Sequence, residues 1–266
     1  MHPKWGRQLA IIAVLVLVLA LAAPTRASAQ ELDFDAAVAL LSSGTEDEVR
    51  MGIETLGVLG NAAAVGPLST RIRRGLPPAL LEAAVDTLGL LGRAEAGPVL
   101  FELTAHRRPE IRLRAVQAIA TCTPRGADRA LISSLSDSSP AVRSAAASAL
   151  GDLRAVSAME SLFLAFDHDV IEAGITIARI ARPEDVRRLL GYLEQRPFAH
   201  LRAPIMQLLS RADLPQRVRL DVIARLGELA TGEVRTMMEE FLQAYQAPPN
   251  DPIRRAAEDV MTRIAQ

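Results

Sequence analysis

A nine-residue pattern that returns along the chain constrains its fold more than any other feature. It runs Leu80-Leu-Glu-Ala-Ala-Val-Asp-Thr-Leu88, then Ile111-Arg-Leu-Arg-Ala-Val-Gln-Ala-Ile119, then Val142-Arg-Ser-Ala-Ala-Ala-Ser-Ala-Leu150. These three copies start 31 residues apart. Weaker copies start at Val170 and Leu201, and clear ones at Val218 and Ile253. Upstream, Leu56-Gly-Val-Leu-Gly60 matches Leu88-Gly-Leu-Leu-Gly92 at the end of the copy that begins at Leu80. A fixed period of this length marks units that cannot bury their own apolar faces and must stack to form a core.

Within a copy the apolar positions fall at i, i+3, i+4, i+7, i+8 and i+11, as in Val142, Ala145, Ala146, Ala149, Leu150 and Leu153, which is one face of an α-helix. After a break rich in Gly, Arg, Asp and Pro comes a second apolar segment: Val65 to Ile72, Pro98 to Leu103, Ala127 to Leu135, Val156 to Phe166, Val186 to Leu193. Turns at Arg108-Pro109-Glu110, Ser138-Ser139-Pro140, Asp167-His168-Asp169 and Asn250-Asp251-Pro252 then lead into the next copy. The expected fold is all-α, an α-solenoid of stacked antiparallel helical hairpins of about 31 residues. Abundant Ala, Leu, Val and Arg with few aromatics agree with close-packed helices. Gly57, Gly60, Gly89 and Gly92 are expected as helix caps.

These residues resemble the HEAT-repeat family, especially its bacterial HEAT-like branch with repeats of the phycobilin-lyase type. Its consensus runs Asp-Pro, Val-Arg, Ala-Ala, Ala-Leu-Gly, then a second helix opening Ala-Val-x-x-Leu. The resemblance covers roughly residues 46 to 265. It implies a stacked helical scaffold and says almost nothing about what is bound.

The organisation expected along the chain has four parts. Residues 1–29 read as a signal peptide: Lys4 and Arg7, an apolar run from Leu9 to Ala23, and Ala27-Ser28-Ala29 before a cut after Ala29. Export to the periplasm or beyond follows, with an inner-membrane anchor as the alternative if the leader stays uncleaved. Residues 30–45 form an N-terminal capping helix, with Leu32 to Leu41 helical. Residues 46–197 carry regular repeats, and 198–266 less regular ones. The copies at Leu201 and Val218 start only 17 residues apart. Either Phe198 to Ser210 is an unpaired helix or one similarity is accidental, and a change of regularity is expected between about 196 and 217.

Arginine occupies the second position of five copies, as Arg112, Arg143, Arg202, Arg219 and Arg254. A cation in the first turn opposes the helix dipole, so a compensating carboxylate or carbonyl is expected nearby. Such Arg-to-acid ladders resemble those of HEAT repeats; a partner-binding stripe is the other reading. Cys122 stands where other copies have Leu91, Leu153 and Leu229, as a small core residue would. His106, His168 and His200 fall in or beside turns, and the His-Glu pairs of a HEAT-repeat di-iron hydroxylase are missing. No phosphate loop, nucleophile elbow or Cys-x-x-Cys pair is present. Removing Lys4, Arg7 and Arg26 with the leader leaves 27 basic against 31 acidic residues, which gives no reason to expect nucleic acid.

The expected function is a non-enzymatic exported scaffold or adaptor that binds another protein in the cell envelope, without cofactor or metal. A HEAT-like enzyme subunit, related to the lyases or the metal-dependent hydroxylase, and a membrane-anchored structural protein are the alternatives. The identity of the partner is not encoded in any motif.

Overall fold

The computed structural model describes residues 33–264; the expected leader and its cut after Ala29 lie outside them. Fifteen α-helices and no strand occupy the described residues: α1 Phe34–Leu40, α2 Glu46–Leu59, α3 Val65–Arg74, α4 Pro78–Leu91, α5 Gly97–Leu103, α6 Pro109–Cys122, α7 Ala127–Ser134, α8 Pro140–Asp152, α9 Met159–Asp167, α10 Ile171–Ile180, α11 Pro183–Leu190, α12 Phe198–Ser210, α13 Gln216–Leu229, α14 Gly232–Ala244 and α15 Pro252–Ile264. The nine-residue pattern lies on α4, α6, α8, α10, α12, α13 and α15. None of the described helices is long and apolar enough to cross a membrane.

Helices α2, α4, α6, α8, α10 and α12 pack side by side in one continuous row, closed at its start by α1. The short helices α3, α5, α7, α9 and α11 form a second layer whose members touch one another far more lightly. A stack that is close-packed along one row and splayed along the other curves towards the close-packed row. Each row helix has a neighbour on both sides, and it buries more than one face. Val85, Val116 and Ala147, one residue beyond the expected i+4 positions, are buried, whereas Ala83, Arg114 and Ala145 at i+3 are half-buried.

The packing unit is out of phase with the one expected. Helix α5 packs mainly on α6, α7 on α8 and α9 on α10, so each of these short helices belongs with the patterned helix that follows it, whereas α11 packs on α10 before it. The turns at Arg108-Pro109 and Ser138-Ser139-Pro140 therefore lie inside hairpins. Pro109 and Pro140 each open a helix directly after a turn, while links of similar length after α4 and α8 include 3-10 turns at Ala94–Ala96 and Val156–Ala158. The expected helix from Val156 accordingly begins its α portion at Met159.

Two of the four glycines expected as caps serve another purpose. Gly60 and Gly92 do end α2 and α4 in the left-handed region, with φ of 62° and 60°. Gly57 and Gly89 lie inside the last turns, and a Cβ on them would stand 3.4 Å from Thr87 Cγ2 and Ala118 Cβ of the next row helix. A Cβ there would be in ordinary van der Waals contact with the next row helix.

The row is interrupted at residues 211–215. Helix α12 is an ordinary member: it packs closely on α10 and buries Leu201, Ile205, Leu208 and Leu209. Of the two readings of residues 198–210, the first is the nearer: α12 sits in the row against α10, but no short helix completes a hairpin with it. What is missing is a short helix after it, since Arg211 to Pro215 leads straight into α13. Successive helices alternate between layers, so omitting one reverses the alternation. Helix α13 touches α11 in the short-helix layer, α14 falls beside α12, and α13 and α15 pack closely together. The close-packed row changes sides, one helix later than the expected boundary at 197/198. Arg211 secures the link by donating from Nη1 to the Ala178 and Ala181 carbonyls at 2.9 and 2.8 Å, and it pairs with Asp213 at 2.6 Å.

Candidate functional site

The five pattern arginines share a position but make different contacts. Arg112 donates from Nε and Nη2 to the two carboxylate oxygens of Asp137, both at 2.7 Å, and from Nη1 to the His106 carbonyl at 2.9 Å. Asp137 Oδ1 also accepts the Ser139 N–H at 2.8 Å. One carboxylate thus ties the turn before α8 to the start of α6. Only 12% and 11% of the two side chains is exposed, and the Arg112 guanidinium holds the Asp137 carboxyl below its ordinary range.

Arg143 donates from Nη1 to the carbonyls of Asp137 and Ser138 at 2.8 and 3.3 Å, and no carboxylate meets its guanidinium among the described residues. Arg202 pairs with Glu240 of α14. Arg254 pairs with Glu258 one turn along its own helix at 2.9 Å and donates to the Ala247 carbonyl. Arg219 buries an Nε that has no hydrogen-bond partner among the described residues. Further cross-unit rungs come from arginines off this position: Arg73 to Glu102, Arg114 to Glu82 and Asp86, Arg179 to Asp152, Arg188 to Glu160. Their signal in the sequence is an Arg and an acid separated by roughly one repeat.

Cys122 is buried in the row, where its Sγ donates to the Leu88 carbonyl at 3.3 Å and burial pushes the thiol's pKa up. His106 Nδ1 accepts the Arg108 N–H at 3.1 Å, which fixes a turn. The described residues hold no group of three His, Cys, Asp or Glu side chains arranged for a metal ion.

Large apolar side chains are exposed at a repeated place. Val58 and Leu90 are 74% and 73% exposed, each one residue after a glycine of the last helical turn, Gly57 or Gly89. Leu90 reaches the helix that carries Val58, since a Cβ on Gly57 would lie 3.7 Å from Leu90 Cδ2. Beside Leu90 a groove of about 570 Å³ runs between α4 and α6, lined by Val85, Asp86, Arg114 and Ala118. A second groove of about 470 Å³ opens between the splayed helices α7 and α9, lined by Ile132, Leu135, Arg143, Leu164 and His168. Val58, Leu90 and Leu164 all stand off the buried faces of their helices.

Among known proteins, residues 97–181 match the family of HEAT repeats. The chain is similar to a chain in a homology model of the full-length AP-3 complex at 14% identity and a TM-score of 0.53, covering 85% of this chain and half of that one. It also resembles a chain in the complex of CpcE and CpcF of phycocyanin lyase from Nostoc sp. PCC7120 (18% identity, TM-score 0.49, 89% and 96% covered). A designed armadillo repeat protein is similar at 17% identity and a TM-score of 0.38, with 87% and 100% covered. No curated protein matches the chain. The AP-3 likeness speaks to the fold alone, and with the stacked rows it leads to one conclusion: the described residues form an α-solenoid, of which residues 97–181 match the family of HEAT repeats.

Proposed function

We propose that this protein is an exported, non-enzymatic scaffold whose inner row docks another protein. The observation that carries the reading is the pair Val58 and Leu90: two large apolar side chains at one repeated position, almost fully exposed and next to an open groove. A recurrent apolar site of this kind costs solubility unless something covers it. Cys122 and the arginines of the ladder support the non-catalytic half of the reading, because intramolecular contacts already occupy them. Export rests on the leader and the expected cut after Ala29.

The test compares the wild-type chain with the double variant Val58→Glu/Leu90→Glu as bait in envelope extract. The expected result is a partner retained by the wild type and lost by the variant at unchanged helicity. Equal capture by both baits would remove the inner row from the proposal. N-terminal sequencing of the mature protein checks export, with Gln30 expected first.

A further inference from the structure

Arg143 is a ladder arginine whose rung is missing. In the preceding copy Arg112 presents the Nε/Nη2 edge of its guanidinium to a carboxylate from the next turn, Asp137, in a bidentate pair. The turn that would supply the same acid to Arg143 is Asp167-His168-Asp169. There Asp169 pairs with Arg196 at 2.7 Å, and Asp167 accepts the Tyr192 hydroxyl at 2.7 Å.

The cause is a shortened repeat. The copies at Val142 and Val170 start 28 residues apart instead of 31. Helix α8 begins at Pro140, two residues ahead of its copy, whereas α10 begins at Ile171, one residue after its copy starts. The lost first turn leaves the acids of that turn out of reach of the rung position. Arg143 keeps its Nη1 bonds to two carbonyls, while its Nε and Nη2 have no hydrogen-bond partner among the described residues.

Arg143 itself lines the groove between α7 and α9. Asp137, which also lines the groove, has both its oxygens taken by Arg112, so its charge acts on Arg143 only without a direct bond. Ile132, Leu135 and the 56% exposed Leu164 supply an apolar wall beside it. We infer that this groove binds an acidic peptide segment of a partner protein: an Asp or Glu side chain takes the place on Arg143 that Asp137 takes on Arg112, and a flanking apolar residue rests on Leu164. A guanidinium with a free fork and an apolar neighbour selects for this combination, because a neutral amide would leave the charge unpaired in a partly dry groove. The inference rests on the scaffold reading above and gives that scaffold a second contact on its outer layer.

The experiment titrates the mature protein with acetyl-Leu-Asp-Leu-amide and follows the Arg143 Nε–H and Leu164 methyl signals by NMR. The expected result is saturable shifts at millimolar peptide, at least tenfold weaker binding of acetyl-Leu-Asn-Leu-amide, and loss of binding in Arg143→Gln. Leu164→Glu, at an exposed position, should block the peptide without disturbing helicity, because its own carboxylate reaches the guanidinium. Equal binding of the Asn peptide, unchanged binding in Leu164→Glu with Arg143→Gln also unaffected, or no binding at all overturns the inference. Binding confined to acetyl-Leu-Leu with a free carboxylate overturns the side-chain occupant in favour of a chain terminus. Using Arg143→Gln as bait in the envelope pull-down separates the two readings: a partner still captured keeps the scaffold and removes only this contact.

Discussion

The row from α2 to α12 and the three helices α13 to α15 use the same helical pattern in opposite senses. In the first, patterned helices stack on every second helix of the chain along one side of the molecule. In the second, α13 and α15 stack just as closely but on the side of the short helices. One omitted helix separates the two arrangements. The pattern thus specifies a packing surface and leaves its location to the count of helices before it.

Because solenoid units hold only their neighbours, the two regions should also melt with some independence. The sharpest test places the same substitution at the same pattern position in each. Ala146 and Ala257 are both fully buried. Ala146→Asp should cost several kcal/mol by leaving a charge unpaired in the packed row, and Ala257→Asp a similar amount locally. Denaturant unfolding followed by circular dichroism should show Ala146→Asp lowering the main transition. Ala257→Asp should split off an early transition worth roughly the last three helices. A single transition in both variants would mean that the joint at 211–215 transmits stability fully.

A smaller effect distinguishes a complete rung from an incomplete one. Arg112→Ala should cost about 2 kcal/mol, the usual range for hydrogen bonds to charged groups, and Arg143→Ala, which breaks only carbonyl contacts, about 1 kcal/mol. The pH dependence has a definite sign. The Asp137 carboxyl is depressed in the folded chain, chiefly by its bonds to Arg112, so the unfolded chain binds more protons in acid. The contribution of the rung is complete above the ordinary aspartate value of about 4 and is lost as pH falls through the depressed value. The stability gap between wild type and Arg112→Ala should therefore narrow in acid, and a gap constant down to pH 2 would contradict the pairing.

The smallest effects concern helix ends. Thr123 and Ala230 end α6 and α13 with φ of 44° and 48°, where Gly60 and Gly92 serve α2 and α4. Thr123→Gly and Ala230→Gly should each stabilise by roughly 0.5–1 kcal/mol, more for the β-branched Thr123. Thermal melts of the two variants check both gains.

The helical period, the stacking and the core role of Cys122 were legible because apolar spacing along one chain determines which face a helix buries. The hairpin phase was not. The pattern marks where a helix begins, whereas the packing unit depends on which neighbour each short helix leans against, and Pro109 and Pro140 fit a spacer or a turn equally well. The two interior glycines were misread for a related reason: Leu88-Gly89 and Leu91-Gly92 look alike in sequence, and only the neighbouring helix shows that one is a contact and the other a cap. The open groove at Arg143 depends on three residues lost before Val170, which the sequence displays as a spacing but not as a vacated carboxylate.

The rungs of the ladder also bear on how the chain acquires its structure. No side-chain hydrogen bond among the described residues joins positions more than 38 apart, the widest being Arg202 to Glu240. These bonds are thus local on the scale of the whole polypeptide, the condition under which topology slows folding least. A chain emerging N-terminus first from a ribosome or a translocation pore can consolidate each hairpin on the one already formed, and never has to hold an early segment open for a late one.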